Sequence, residues 1–466
     1  MHMVKRSLPF HLLLSLPATG VGFALAVQIS ALSWILTTQY GLHIEEVGLV
    51  WAAGPLAGII GQVLIGIISD KTWFWGGRRK PFIFLGGLIS APMLLALPNL
   101  DAVGAALGLE ALLGIAILVA LSLDLAINVS FNPARTLIAD VTEEGAERTR
   151  SYTWMQTVSG TFGVLAYAIG ALYGNITLIY VAVVVVLAFS LIPPLFIEEP
   201  RELPELSEAS QGESSLWIAV QSIKPLWGFI AYALYAMPAR VLGVSFDHLW
   251  IEYAALGFTL VMMASNLFSD DSSNPRSGFQ KVATANALSW VGIQTMFVYM
   301  IAYVQTRMPM LDDLSTGEVM SISFLILNAV GAIFPTLILK PIATRIGSAF
   351  TMAGCTAIMA FGYLGITASA TSAISLYLWM VVVGIGWAGV VSLPFDVLSR
   401  NAEPKRLGLF MGLFNLSIVL PQLFVSLGIG LMVGAMNDQG LIFVISAVSL
   451  ALSAIAWWKV GERSRK

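Results

Sequence analysis

The sequence predicts an all-α polytopic membrane protein made of two pseudo-symmetric six-helix bundles. Three observations predict it: composition, the number of long apolar runs, and a motif that recurs half a chain later. Of the 466 residues, 57% are hydrophobic and 11% charged, whereas a soluble domain is about a quarter charged. A water-soluble fold of this composition would aggregate. The chain is filled instead with runs near the ~20 residues that span ~30 Å of hydrocarbon, so the bilayer is the solvent.

Taken in order, spans are expected near 9–37, 46–69, 81–98, 109–139, 151–173 and 176–196. The short basic start, Met1 to Arg6, precedes a run from Leu8 to Thr38 that is too long for the apolar core of a cleavable signal, so that run reads as the first span. Six more are expected near 282–305, 316–339, 347–368, 372–398, 407–434 and 440–459. Between the two sets lie an acidic polar stretch, Glu198 to Ser215, and two further apolar runs near 225–243 and 247–268. If both cross, the count is fourteen; if they form an interfacial hairpin, it is twelve. The expected organisation is an N-terminal bundle (1–197), a central cytoplasmic linker with the additional pair (198–281) and a C-terminal bundle (282–466).

Lys and Arg in short loops are retained on the cytoplasmic side. Lys5, Arg6, Lys71, Arg78 to Lys80, Arg148, Arg150, Arg276, Lys281, Lys340, Arg345, Arg400, Lys405, Arg406 and the tail from Lys459 fall on one face, with only Arg240 and Arg307 opposite. Both termini are therefore expected in the cytoplasm, with a plasma or bacterial inner membrane as the setting.

The end of the fourth span reads Asp140-Val141, followed by Arg148, Arg150 and a Gly-containing helix; the end of the tenth reads Asp396-Val397, followed by Arg400, Lys405, Arg406 and another. Parallel six-helix repeats related by an axis along the membrane normal are the architecture of major facilitator carriers, whose substrate sites lie near mid-membrane.

The fourth span holds Asp124, Asn128, Asn132 and Arg135. At ~100° per residue they fall within about 80° of one another, a polar stripe on an apolar helix. A charge at the bilayer centre costs roughly 2.5 to 3.5 kcal/mol on insertion scales, so Asp124 needs a partner or a task. The bland alternative is a carboxyl neutralised by a structural cation or a hydrogen bond. Arg135, ~16 Å further along the helix, is not its direct partner and suits a gate or a packing ion pair. Low dielectric disfavours the charged carboxyl, so a mid-membrane Asp can take up a proton, as proton coupling requires. Sugar hydroxyls want acceptors and donors together, which a carboxylate, Asn amides and aromatic faces supply. If one carboxylate serves both, binding and protonation are thermodynamically linked.

Gln28, Gln62, Gln156, Gln294, Asn328, Asn415 and Gln422 are further intramembrane polar groups, each taken singly more often interhelical glue than ligand contact. Trp290, Tyr299 and Trp387 lie near glycines and polar residues and could stack on a sugar ring. Gly66, Ser69, Asp70 and the loop Gly77-Arg78-Arg79-Lys80-Pro81 suit a cytoplasmic charge clasp that breaks during transport, and Asp140, Arg148 and Asp396 join the same conformational latch. A solvated loop is the alternative. His43 reads as a solvated loop histidine beside Glu45 and Glu46.

Several stretches resemble the proton-coupled sucrose and maltose type glycoside carriers of the major facilitator superfamily. Trp51, Gly54, Pro55, Gly58, Gln62, Gly66, Ser69 and Asp70 match that family's second span, and Gly77-Arg78-Arg79-Lys80-Pro81-Phe82 is similar to its Gly-Arg-Arg-basic-Pro-aromatic loop. Leu123-Asp124, Ala126, Asn128, Pro133, Arg135, Leu137 and Ala139-Asp140 fall at its fourth-span spacing, and Ser392-Leu393-Pro394-Phe395 is similar to its tenth span. The resemblance is strong over residues 40 to 170. It implies the major facilitator fold, import of a disaccharide with a proton, and roles in that coupling for Asp124 and Arg135. Gln62, Asn128, Asn132, Trp290, Gln294 and Trp387 complete the expected substrate and proton site. The loop between spans eight and nine keeps Arg345 and Gly347 but lacks the acidic residue of plant sucrose carriers, and His43 stands about one position from their first-loop histidine.

Two other readings compete: the same fold moving a different small solute, and a carrier-like factor that delivers pigment or assists membrane assembly. An enzyme is not expected, since the chain has no phosphate-cradling Gly-Lys-Ser/Thr loop, helical His-Glu-x-x-His or serine nucleophile elbow. Four histidines near termini or loops and the single Cys355, in an apolar run, give no metal site, disulfide or cofactor. Scattered basic residues give no sign of a nucleic-acid partner. The expected partners are a sugar, a proton and the bilayer, and the expected state is a monomer.

Overall fold

In lipid an apolar chain satisfies its backbone internally, and helices do so within one segment. The computed structural model describes residues 7–143, 146–201, 215–241, 249–269, 276–402 and 407–461, with the side chains of Gln62 and Asp70 and the surroundings of Gly66 outside the description. Among the described residues all long elements are helical, and the extended pairing is one isolated bridge between Phe74 and Gly77.

In chain order, α1 (Leu8–Val27) continues through a π-helical turn at Gln28–Leu32 into α2 (Ser33–Thr38), followed by α3 (Ile44–Trp51), α4 (Ala53–Lys71), α5 (Lys80–Ala96), α6 (Leu100–Leu107), α7 (Leu112–Val141), α8 (Ala146–Tyr173) and α9 (Asn175–Leu191). In the middle stand α10 (Ser215–Ser222), α11 (Trp227–Val241) and α12 (Trp250–Phe268). Then come α13 (Ser277–Arg307), α14 (Asp313–Phe334), a π-turn at Pro335–Leu339, α15 (Lys340–Ile346), α16 (Ser348–Ser369), α17 (Ala373–Ser392), α18 (Pro394–Asn401), α19 (Leu407–Phe424), a π-turn at Val425–Ile429, α20 (Gly430–Gly434) and α21 (Ile442–Val460).

Twelve helical segments among the described residues are long and apolar enough to cross a membrane. They include α12, one of the two central runs. Its companion α11 is described over 15 residues, Trp227–Val241. The 19-residue α4 stands where the second span is expected. That span is shorter than expected, because the chain breaks at Ala52 before Gly54-Pro55, where proline fits only in a first helical turn. The tenth span breaks likewise at Leu393, ahead of Pro394. Outside the spans, Asp312 accepts the Ser315 backbone N–H at 2.7 Å. The Ser315 hydroxyl, then that N–H, hold its carboxyl below the usual range.

Contacts divide the chain into two compact units, one drawn from Met1–Leu42, Ala53–Leu206 and Asp312–Leu325, the other from His43–Ala52, Ser207–Leu311 and Ile326–Lys466. In the first, α5 packs on α7 and α9, and α1 on α8. Gly86 makes the α5–α7 approach possible, since a Cβ there would come 2.5 Å from the Ala126 carbonyl oxygen. The segment from α14 joins this unit through Ser321, whose Oγ donates to Asn175 Oδ1 at 2.9 Å. The second unit is built around α13, buried along nearly its whole length. Asn286 on α13 donates to Ser417 Oγ at 2.8 Å, and Ser289 and Ser453 hydroxyls meet at 2.7 Å. α3 belongs to this unit because Gly48 leaves room for the Tyr299 hydroxyl, which donates to the Val425 carbonyl at 3.0 Å.

Candidate functional site

Leu, Ala and Ile make α7 a continuous helix of 30 residues, and its polar stripe interrupts an otherwise apolar surface. Asp124 and Asn128 are buried, 7% and 8% exposed. Asp124 Oδ1 accepts a hydrogen bond from Gln28 Nε2 at 2.9 Å. Gln28 opens the π-helical turn Gln28–Leu32, the kind of local widening that helices use at functional positions. On the other side, an added Cβ on Gly54 of α4 would sit 3.5 Å from Asp124 Oδ2. Among the described residues no cation pairs with Asp124 and no group of three His, Cys, Asp or Glu gathers as a metal site. Among the described residues the carboxyl thus has one amide donor. When ionised it takes the Gln28 N–H; when protonated it becomes a hydroxyl donor as well.

The rest of the stripe differs. Asn128 Nδ2 donates back to the Asp124 backbone carbonyl at 2.8 Å. Asn132 is half-buried, and its carbonyl accepts from Thr136 at 2.9 Å. Arg135 is exposed, with its guanidinium 4.0 Å from the centre of the Phe131 ring. The stripe is one face of α7 with two environments, a buried acid at mid-helix and an arginine towards its end.

In the second unit the structure brings together three aromatics. Trp290 and Trp387 meet edge to face at 6.3 Å, and Phe297 meets Trp387 at 5.6 Å. Gly331 permits this, since a Cβ there would lie 2.7 Å from Trp387 Cδ1. The buried Gln294 accepts from Gln422 Nε2 at 3.2 Å. Trp290 and Trp387 are half-buried. The side chain of Gln62 lies outside the described residues.

The latch residues divide similarly. Arg79 is 5% exposed and donates through Nε to Asp140 Oδ2 at 2.9 Å and through Nη1 to Ser69 Oγ at 2.6 Å. Glu199 holds the same loop, accepting the backbone N–H groups of Arg78, Arg79 and Lys80 at 2.7, 2.9 and 2.9 Å. Arg78 reaches the Arg201 carbonyl at 3.2 Å. Arg148 donates to the Ala139 and Thr142 carbonyls at 3.0 and 3.1 Å, closing the C-terminus of α7. Asp396 pairs with Arg400 one turn on, at 2.9 Å, and accepts from the Ser348 hydroxyl. The surroundings of Gly66 and the side chain of Asp70 lie outside the description.

Three features escape a reading of the sequence. Glu199 sits in what reads as an acidic linker, 121 residues from Arg78. Ser30, Asn175 and Ser321 form a buried polar knot, with Ser30 Oγ donating to Asn175 Oδ1 at 3.0 Å. Glu252 on α12 is 6% exposed and accepts from the Tyr232 hydroxyl at 3.4 Å. The signal for Glu252 was present, a lone acid in an apolar run.

Residues 14–426 match the Major Facilitator Superfamily. The chain is 24% identical over 447 residues to sucrose transport protein SUC4 of Arabidopsis thaliana, covering 89% of this chain and 82% of that protein. It is 28% identical over 176 residues to the general alpha-glucoside permease of Schizosaccharomyces pombe, covering 34% and 32%. Among solved structures, nucleoside transporter NupG superposes with a TM-score of 0.63 at 13% identity, covering 97% of this chain and 98% of that one.

Proposed function

This chain belongs to the Major Facilitator Superfamily, and on that premise we propose that it imports a disaccharide or related glycoside of the sucrose or maltose type together with a proton. The observation that supports this reading best is Asp124, a carboxyl buried at the middle of a membrane-spanning helix with a single side-chain donor, Gln28, and no cation partner among the described residues. A group so placed gains most from taking up a proton on one side of the membrane and releasing it on the other.

In this reading Asp124 and Gln28 hydrogen-bond sugar hydroxyls while Asp124 carries the coupling proton. Loss of the proton returns the Asp124–Gln28 bond and weakens sugar binding, so one event is linked to the other. Trp290 and Trp387 offer apolar faces for a pyranose ring, and Gln294 with Gln422 offers an amide pair. The names of the relatives support the substrate class: one is a sucrose transport protein, the other an alpha-glucoside permease. The distribution of Lys and Arg supports both termini on the cytoplasmic side of a plasma or bacterial inner membrane. The Arg79–Asp140 pair serves as the cytoplasmic latch of an alternating-access cycle.

The test is uptake of labelled sucrose and maltose by proteoliposomes, with and without an inward proton gradient. The expected result is gradient-dependent accumulation of at least one of them, with the other competing. Well-folded protein that accumulates neither would sink the disaccharide reading. Transport competed by nucleosides or dipeptides would reassign the solute.

A further inference from the structure

At the end of the second unit that the charge count assigns to the cytoplasm lies a cavity of about 300 Å³, walled by Gln221, Lys224, Ser265, Asn266, Ser269 and Gln280. It sits where α12 ends, α13 begins and the turn before α11 passes. Among the described residues, one buried acceptor in it lacks a donor. The Gln221 backbone carbonyl only accepts, so Gln280 must present its amide N–H to it, at 2.8 Å. Gln280 Oε1 therefore faces Asn266, whose Nδ2 donates to it at 3.0 Å. Both amide orientations are fixed by that carbonyl, and Asn266 Oδ1 is left buried without a donor. Ser265 and Ser269 spend their hydroxyl hydrogens on the Met262 and Asn266 carbonyls, leaving lone pairs. The wall thus offers one buried acceptor that lacks a donor, Asn266 Oδ1, the hydroxyl lone pairs, and one exposed ammonium, Lys224, with which no carboxylate among the described residues pairs. A second ammonium stands close by, Lys459 Nζ lying 5.3 Å from the centre of the Phe268 ring.

The surroundings are those of a lipid site. On α12, Phe258, Val261 and Phe268 are 53%, 66% and 62% exposed, an apolar rim facing hydrocarbon. Trp217 on α10 is also exposed, the residue type that settles at the headgroup level. We infer that this cavity binds the headgroup of a phospholipid that bears both a phosphate and hydrogen-bond donors, such as phosphatidylglycerol or phosphatidylethanolamine. The phosphate meets Lys224, with Lys459 adding field. The headgroup hydroxyls or ammonium face Asn266 Oδ1 and the hydroxyl lone pairs, and the acyl chains run along the rim of α12. Phosphatidylcholine presents the same phosphate but no donor, and a free phosphate lacks the apolar portion.

The experiment titrates the full-length purified protein in detergent with phosphatidylglycerol, phosphatidylcholine or inorganic phosphate, scoring bound lipid by native mass spectrometry. The wild type should retain phosphatidylglycerol in preference to phosphatidylcholine, unaffected by millimolar phosphate. Lys224→Gln should weaken retention about fivefold and Lys224→Gln/Lys459→Gln further, since each surface cation contributes about that factor towards an anionic headgroup. Asn266→Leu should remove the preference over phosphatidylcholine. Lys224 is exposed, so its variant should elute as a single gel-filtration peak. If that folded variant retains phosphatidylglycerol like the wild type, or if the wild type holds both lipids equally, the inference is wrong. Displacement by inorganic phosphate would overturn the lipid assignment in favour of a soluble anion.

Discussion

Helix α7 ends on Asp140-Val141, and the tenth span carries the matching Asp396-Val397 in α18, just past the end of α17, yet the bodies of α7 and α17 differ in chemistry. Counting back from Asp140, the stripe on α7 is Arg135, Asn132, Asn128 and Asp124; at the same distances before Asp396 stand Val391, Ala388, Gly384 and Met380. Met380 is fully buried, and a Cβ on Gly384 would come 2.8 Å from Val330 Cβ. One helix carries a polar face, and its counterpart packs closely along Met380, Gly384 and Ala388 of that face while Val391 is exposed. The latch at their ends diverges too. The Arg79–Asp140 side chains are 7% and 12% exposed, those of Arg400 and Asp396 34% and 41%. An intramembrane carboxyl is expensive, and of these two helices α7 holds one on this face while α17 holds none.

Four substitutions probe this contrast in decreasing order of effect. Arg79→Ala leaves Asp140 without its cation in a nearly buried site and should cost about 3 to 5 kcal/mol, read as early thermal unfolding in detergent. Met380→Asp places a carboxyl on α17 with no arranged donor and should cost about 3 kcal/mol without adding proton-driven uptake. Equal stability to the wild type would show that α17 tolerates what α7 is built for. Gln28→Leu removes the Asp124 donor, a charge-assisted bond worth roughly 1.5 to 3 kcal/mol, and should lower gradient-driven uptake about tenfold at unchanged surface expression. Arg400→Ala breaks an exposed pair of the i,i+4 type and should shift stability by no more than about 0.5 kcal/mol. A loss matching that of Arg79→Ala would erase the distinction between the two latches.

How legible each feature was in the sequence follows from how local its cause is. The spans show in hydropathy alone, and the Asp124 stripe shows in helical spacing. The breaks at Ala52 and Leu393 had a local cue in the prolines that follow. Partners were hidden, because Gln28 lies 96 residues from Asp124 and Asn175 lies 146 from Ser321. No propensity marks the π-helical turn that carries both Gln28 and Ser30. Arg79 was visible as part of a basic loop, but its burial against Asp140, and the carboxylate of Glu199 beneath the loop, depend on tertiary packing.

The central claim is that Asp124 carries the proton that sugar brings in. The direct measurement is proton uptake on adding sucrose or maltose to wild-type and Asp124→Asn proteoliposomes, alongside sugar counterflow in the same vesicles. The account predicts a sugar-dependent alkalinisation outside wild-type vesicles that the variant loses by up to about 100-fold, with counterflow retained as evidence of an intact carrier. Undiminished proton uptake with Asp124→Asn would contradict it.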